Sequence, residues 1–228
     1  MILETENLFG EKKTEQYKPL RESLQKELSL VFNTDLTLEK LVNIITNDFY
    51  ETLEYHQLCF GLNSCQKTSL LFNPHRLDTK AGKSKMSCFE ALKDYNFLNR
   101  LARMILHEWK QKGDNYKSRY GELLYQILAF NINGVQYVNE IHPLISRKLA
   151  LKYCNNLNSK VIDPCAGWGG RMIGFSTVVK EYYGFEPYTK TYNGLKKLGD
   201  WIKERNEHFN FNLNNLPFED AVLENGYF

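Results

Sequence analysis

The chain has 228 residues, a hydrophobic fraction of 43%, an aromatic fraction of 14% and a net charge of +2 at pH 7. This composition supports one large or two small folded domains and argues against global disorder. No run approaches the ~18 consecutive apolar residues of a membrane span, and the first residues lack the pattern of a signal peptide. The five cysteines include no Cys-x-x-Cys pair, which disfavours a disulfide framework or a structural zinc site. We expect a cytoplasmic protein without membrane association.

Apolar residues recur at helical spacing in several N-terminal segments. They predict amphipathic helices over residues 20–32, 38–55 and 120–130, each with one face in a core. Residues 57–72 are ambiguous: apolar residues alternate at Leu58, Phe60 and Leu62, and the run at 70–72 is apolar, which is compatible with a short β-hairpin. These elements indicate a mainly helical N-terminal half.

A capping pattern begins the longest predicted helix. Ser87 is followed three residues later by Glu90, the spacing of a capping box, and apolar positions then continue at helical spacing over 88–111. A turn at Asn131-Ile-Asn-Gly134 follows and marks a domain boundary. We therefore expect a helical domain over residues 1–134.

Positive charge is concentrated in residues 76–119. This segment contains eleven Lys/Arg against five Asp/Glu, a net charge of +6. Because Lys and Arg neutralise phosphates, the segment is the expected nucleic-acid surface, although a solvated helix face with a basic loop would have the same composition. The predicted nucleic-acid-binding residues are Arg76, Lys80, Lys83, Lys85, Arg100 and Arg103.

A strand, a glycine turn and a helix follow one another over residues 159–175. Lys160-Val-Ile162 is typical of a buried parallel strand, and Asp163-Pro164 ends it because proline cannot donate to a ladder. Three glycines then lie within Gly167-Trp-Gly-Gly170, before an apolar helix face begins. Such a turn lets the backbone approach a ligand closely, although an ordinary tight turn fits the same glycines.

Acidic residues follow three successive predicted strands. Asp163 ends the first, Glu186 ends the second, which is predicted over 181–186, and Asp220, beside Glu219, follows a third predicted over 209–216. The spacing from Asp163 to Glu186 is close to the ~20 residues at which an acid meets a ribose hydroxyl in a βαβ unit. Three acids at strand ends favour a nucleoside cofactor. The glycine spacing is not the Gly-x-Gly-x-x-Gly of dinucleotide sites.

The glycine turn and its flanks resemble a known family. S-adenosylmethionine-dependent DNA methyltransferases of the amino-methylating kind, which act on adenine N6 or cytosine N4, have a first motif similar to Val161-Ile-Asp-Pro-Cys-Ala-Gly-Trp-Gly-Gly170. Residues 141–153 resemble the helix that these enzymes place before that motif. The resemblance covers roughly residues 137–228. It implies an α/β fold: a helical N-terminal domain, then a partial Rossmann-like doubly wound parallel sheet of the class I methyltransferase type over residues 135–228.

The resemblance also implies a cofactor, S-adenosylmethionine, and a partner, double-stranded DNA, as in restriction-modification systems. Asp163 and the glycine turn would hold the methionine part, Glu186 the ribose hydroxyls and Asp220 the adenine amino group. By the resemblance, Cys165 is a packing residue rather than a nucleophile. His142 stands before a proline, which is typical of a capping or loop residue, and a role beside the ligand is the alternative. The implied cofactor-binding residues are Pro143, Asp163, Pro164, Cys165, Ala166, Gly167, Gly169, Gly170, Glu186 and Asp220.

One motif of the family is missing. These enzymes hold the flipped target base with Asp/Asn/Ser-Pro-Pro-Tyr/Phe, and this chain has six isolated prolines and no Pro-Pro. Three interpretations stay open. The chain is the cofactor half of a methyltransferase whose C-terminal half or a second protein chain carries the motif. Alternatively it is a cofactor- or DNA-binding subunit without catalysis, or a methyltransferase that acts on RNA or a small molecule. The catalytic residues stay unassigned.

Overall fold

The protein consists of two units, each formed from two segments of the chain. Unit 1 combines Met1–Ile44 with Leu77–Tyr137, and unit 2 combines Ile45–Arg76 with Val138–Phe228. The structure is a computed structural model that describes residues 18–32, 35–46, 64–82, 84–112, 135, 137–154 and 158–222.

This division differs from the predicted domains in one segment. The expected boundary at 134 lies close to the crossing at Tyr137–Val138, but Ile45–Arg76 belongs to unit 2 and not to the N-terminal domain. Side-chain bonds explain the difference, since Asn73 and Arg76 both donate to backbone carbonyls of unit 2. Such long-range bonds leave no periodic pattern in the sequence.

The α-helices are numbered in chain order. The described residues also include short 3-10 helices at Pro74–Asp78 and Phe218–Asp220. In the described part of the chain the α-helices are α1 (Lys18–Val31), α2 (Leu38–Thr46), α3 (Ser64–Phe72), α4 (Cys88–Ala91), α5 (Tyr95–Lys112), α6 (Pro143–Tyr153), α7 (Gly170–Phe175) and α8 (Thr189–Arg205). Among the described residues, no helix is both long enough and apolar enough to cross a membrane.

In unit 1, α1 packs against α5, and their buried apolar faces supply much of its core. The predicted capping box is confirmed: the Ser87 hydroxyl accepts from the Glu90 amide, and the Glu90 carboxylate accepts from the Ser87 amide. The predicted helix over 88–111 is, however, interrupted between α4 and α5. There the Asp94 carboxylate accepts a hydrogen bond from the Phe97 amide at 2.8 Å, which begins a second helix.

In the N-terminal half, a helix replaces part of the expected hairpin. The hairpin expected over 57–72 is wrong for its second part, because Ser64–Phe72 is the helix α3. A short apolar run cannot be assigned to strand or helix by periodicity alone. The hairpin's first part, the end of the helix expected over 38–55 and the helix expected over 120–130 lie outside the described residues.

Unit 2 contains a three-stranded parallel sheet in the order β1-β2-β3, where β1 is Lys160–Asp163, β2 is Glu181–Phe185 and β3 is Asn210–Asn214. All three strands were predicted. The helix α7 connects β1 to β2, and α8 connects β2 to β3, so the unit is mixed α/β. The sheet and these two helices share a core of Ala166, Met172, Ile173, Tyr182, Leu195, Leu198, Ile202 and Phe209.

Candidate functional site

The glycine turn begins directly after β1, and its conformation requires glycine at two positions. Gly167 and Gly169 have φ values of 57° and 102°, in the left-handed region that other residues avoid. A Cβ on Gly169 would also lie 2.5 Å from Leu198 Cδ2. The Ala166 amide donates to the Phe185 carbonyl at 2.9 Å, which fixes the turn against the end of β2. The predicted turn is therefore a tightly built connection at the carboxyl edge of the sheet.

Glu186 links this turn to the next one. Its Oε2 accepts a hydrogen bond from the Gly167 amide at 3.1 Å, and its Oε1 accepts one from the Tyr188 amide at 2.9 Å. The carboxylate is half-buried. Asn215, after β3, donates to the Glu186 carbonyl at 2.9 Å. Glu186 and Asn215 thus tie together the loops that follow β1, β2 and β3.

Asp163 is buried and accepts three hydrogen bonds from its own unit. Its Oδ2 accepts from Arg171 Nε at 2.7 Å and from Tyr182 Oη at 2.8 Å, and its Oδ1 accepts from the Cys165 amide at 3.2 Å. Burial, and then the Asp163 charge, raise the pKa of Tyr182 well above its usual value, so its hydroxyl stays a donor. Burial works against the charge of Arg171, but the Asp163 carboxylate outweighs it and raises the Arg171 pKa. Asp163 therefore acts by holding the turn in shape.

Sequence reasoning missed Glu140, which supports the far end of the turn. Its Oε2 accepts a hydrogen bond from the Gly170 amide at 3.0 Å, at the first residue of α7. Its Oε1 accepts from Arg76 Nη1 and from Ser69 Oγ, both at 2.5 Å. A Cβ on Gly170 would lie 2.5 Å from the Ile141 carbonyl oxygen, so only glycine lets the start of α7 pack this close to Ile141. An isolated acid before a predicted helix has no distinctive pattern, which is why the sequence did not reveal it.

Arg76 is the clearest correction among the predicted nucleic-acid residues. Its side chain is 1% exposed, pairs with Glu140 and donates from Nε to the Val138 carbonyl at 2.8 Å. An arginine in this position stabilises unit 2 and is not available to a phosphate. The other predicted residues in the described part of the chain, Lys80, Lys85, Arg100 and Arg103, are exposed, and Lys83 lies outside it.

Three rings lie together beside the glycine turn. His75 is buried, 5.3 Å from the Trp168 ring and 5.9 Å from the Tyr188 ring between centroids, and its Nε2 lies 2.9 Å from Thr191 Oγ1. Burial, and then the charge of Lys190, lower the pKa of His75 to about 4, so the imidazole is neutral at pH 7. The Tyr188 ring is 58% exposed. An aromatic surface therefore reaches solvent two residues after Glu186.

The other predicted site residues fall in different environments. Pro143 is buried at the first position of α6, and the His142 side chain accepts from the Leu144 amide, which confirms it as a cap. Cys165 is an exposed free thiol, contrary to the packing role expected for it. Asp220 is exposed in the 3-10 helix after β3. Phe218, at the start of that helix, has its ring 5.1 Å from the ring of Phe185 at the end of β2. Ala166 is buried and Pro164 is exposed.

The described side chains offer no metal centre, since they include no group of three or more His, Cys, Asp or Glu arranged to hold a metal ion. Comparison with protein-family models, with curated proteins and with solved structures found no match to this chain.

Proposed function

We propose that unit 2 binds S-adenosylmethionine at the carboxyl ends of its strands, with the sheet as the first part of a Rossmann-like methyltransferase fold. The protein would serve in the methylation of an amino group of DNA, on adenine N6 or cytosine N4. One observation carries the proposal: the Glu186 carboxylate bonds to the Gly167 amide. This bond brings together the glycine turn after one parallel strand and the acid after the next, the arrangement of nucleoside sites in α/β folds.

The residues present fit such a cofactor. A carboxylate has about four acceptor positions, and the described contacts of Glu186 use two of them. The others suit a pair of ribose hydroxyls. The turn at Gly167 presents backbone without a side chain, so a ligand can come close to it. Exposed Asp220, after β3, has a free acceptor for an exocyclic amino group.

In this proposal the cofactor's sulfonium supplies an activated methyl group. The chain's own residues bind and orient. Glu186 accepts from the ribose, the Gly167–Gly170 backbone borders the methionine part, and Asp220 accepts from the adenine. Asp163 does not reach the ligand in this scheme, because Arg171 and Tyr182 already hold its carboxylate in the turn. Its part is to keep the turn in the shape that the cofactor requires.

A second candidate function is a binding subunit without catalysis of its own. It stays open because these 228 residues contain no Pro-Pro-Tyr/Phe, the motif with which the resembled family holds a flipped base. In both candidates the cofactor site is the same. They differ in whether this protein, with DNA and cofactor alone, transfers a methyl group.

Calorimetric titration with S-adenosylmethionine tests the shared part. Glu186→Gln removes a charged acceptor from the ribose, and a hydrogen bond to a charged group contributes about 1.5–3 kcal/mol. Binding should weaken roughly ten- to hundredfold. Glu207→Gln is the matched control. It removes the same charge from unit 2, at a side chain that is 89% exposed.

Three outcomes are informative. Binding that is weakened about tenfold or more in Glu186→Gln and unchanged in Glu207→Gln supports the cofactor site. No binding by the folded wild-type chain, or equal affinity of both variants, refutes it. Radiolabelled methyl transfer, measured separately on duplex DNA and on RNA, then separates a DNA methyltransferase from an RNA enzyme and from a subunit that binds only.

A further inference from the structure

The outward face of α5 carries a stripe of hydrogen-bonding and cationic side chains. Asn96, Arg100, Arg103 and His107 are all exposed and follow one another at intervals of four, three and four residues. At ~3.6 residues per turn, these intervals keep all four within about 60° around the helix. The opposite face is apolar and buried, with Leu101 among its residues. The stripe is therefore a single surface of unit 1, about 16 Å long at ~1.5 Å per residue.

The two arginines of this stripe have no ion-pair partner among the described residues. No Asp or Glu occurs between residues 95 and 107. Arg76, Arg171 and Arg205 each pair with a carboxylate. In the described structure, Arg100 and Arg103 have no such pair. Like charges on one helix face repel each other, and a bound polyanion would relieve that repulsion.

We propose that this stripe of α5 is a docking surface for double-stranded DNA, with the helix in the major groove. The B-DNA major groove is about 12 Å wide and admits one α-helix. Arginine binds guanine edges or phosphates, and asparagine binds adenine edges, so an Asn/Arg/Arg stripe has the donors for both tasks. Double-stranded RNA fits this surface poorly, because its major groove is deep and too narrow for side chains to read.

This inference rests on the proposed function for its choice of nucleic acid as partner, but not on the cofactor site. It assigns the DNA contacts to one helix face. It also leaves Arg76 out, since that residue is buried in unit 2. DNA affinity can be measured without S-adenosylmethionine, so failure of the cofactor site and failure of the docking surface are separate results.

The test is fluorescence anisotropy of the full chain with a labelled 30-base-pair DNA duplex and an RNA duplex of the same sequence, over a range of salt concentrations. The test variant is Arg100→Ala/Arg103→Ala. Its control is Lys26→Ala/Lys40→Ala, which removes the same charge from exposed positions of unit 1. Circular dichroism and urea unfolding establish that both variants are folded.

We expect the wild type to bind the DNA duplex more tightly than the RNA duplex. Each lost phosphate contact lowers the slope of log K against log salt by about 0.9, so Arg100→Ala/Arg103→Ala should lower it by about 0.9 if one arginine reads a base edge and by about 1.8 if both contact phosphates. Over a fourfold range of salt concentration the larger change amounts to about tenfold in affinity. The lysine control should keep the wild-type slope. Equal effects of the two double variants, an unchanged slope in the arginine variant, or tighter binding of RNA would each overturn the proposal.

Discussion

Replacing Arg76 by methionine should cost unit 2 more stability than any surface charge change in it. The guanidinium is buried, and its loss removes a hydrogen bond to the Val138 carbonyl at 2.8 Å and one to Ser69 Oγ at 3.1 Å. It also removes the partner of Glu140, whose side chain is 4% exposed. Removing one member of a buried ion pair costs about 3–5 kcal/mol. We expect about 3 kcal/mol, because Ser69 Oγ and the Gly170 amide still donate to Glu140.

Urea unfolding followed by tryptophan fluorescence measures this cost. Trp168 and Trp201 both belong to unit 2, so a Trp109→Phe background makes the signal specific to that unit. With an m-value of about 1–3 kcal/mol/M, a loss of 3 kcal/mol moves the midpoint by about 1–3 M. Lys160→Met is the control, because Lys160 pairs with Glu181 at the surface, where ion pairs contribute about 0–1 kcal/mol.

A double-mutant cycle measures the coupling between Arg76 and Glu140. In Arg76→Met/Glu140→Gln the unpaired buried charge is gone, so the double variant should lose less than the two single variants together, by at least about 1 kcal/mol. If Arg76→Met costs no more than Lys160→Met, or if the two single losses simply add, the buried pair does not support the turn at Gly170 as described.

Substitutions of His75 and Tyr182, both in unit 2, should also change stability. The pKa of His75 is about 4 in the folded protein, against 6.5 for an unperturbed histidine. The unfolded chain therefore binds more protons than the folded protein between these two pH values. Stability should therefore fall as the pH falls from 6.5 to 4, by up to about 1.4 kcal/mol per pH unit, and His75→Gln should flatten that fall. Superimposable pH profiles of unfolding for the two proteins would contradict the assignment. Tyr182→Phe removes a hydrogen bond to the buried Asp163 carboxylate and should cost about 1.5–3 kcal/mol in urea unfolding. A cost below about 0.5 kcal/mol would mean that Arg171 alone suffices to hold Asp163.

Local patterns of the sequence determined individual elements in both units. The three strands, the glycine turn at Gly167–Gly170, the Ser87 capping box and the His142 cap were all predicted from residues close together in the chain. Each depends on a property of the local backbone: β-branched runs, freedom at positive φ, or a side chain that satisfies an amide at a helix start. Such properties can be read without knowing the fold.

The tertiary structure alone decided which side chains support the site. Glu140 reaches the Gly170 amide 30 residues away, and Arg76 reaches Glu140 across 64 residues. Arg76 was predicted to lie on a DNA surface, but in the folded protein it forms a buried ion pair. Arg100 and Arg103, from the same basic segment, are exposed on α5. A run of basic residues does not reveal which cations are buried. That choice depends on which carboxylates the folded chain brings within reach, because a buried charge persists only when it is paired.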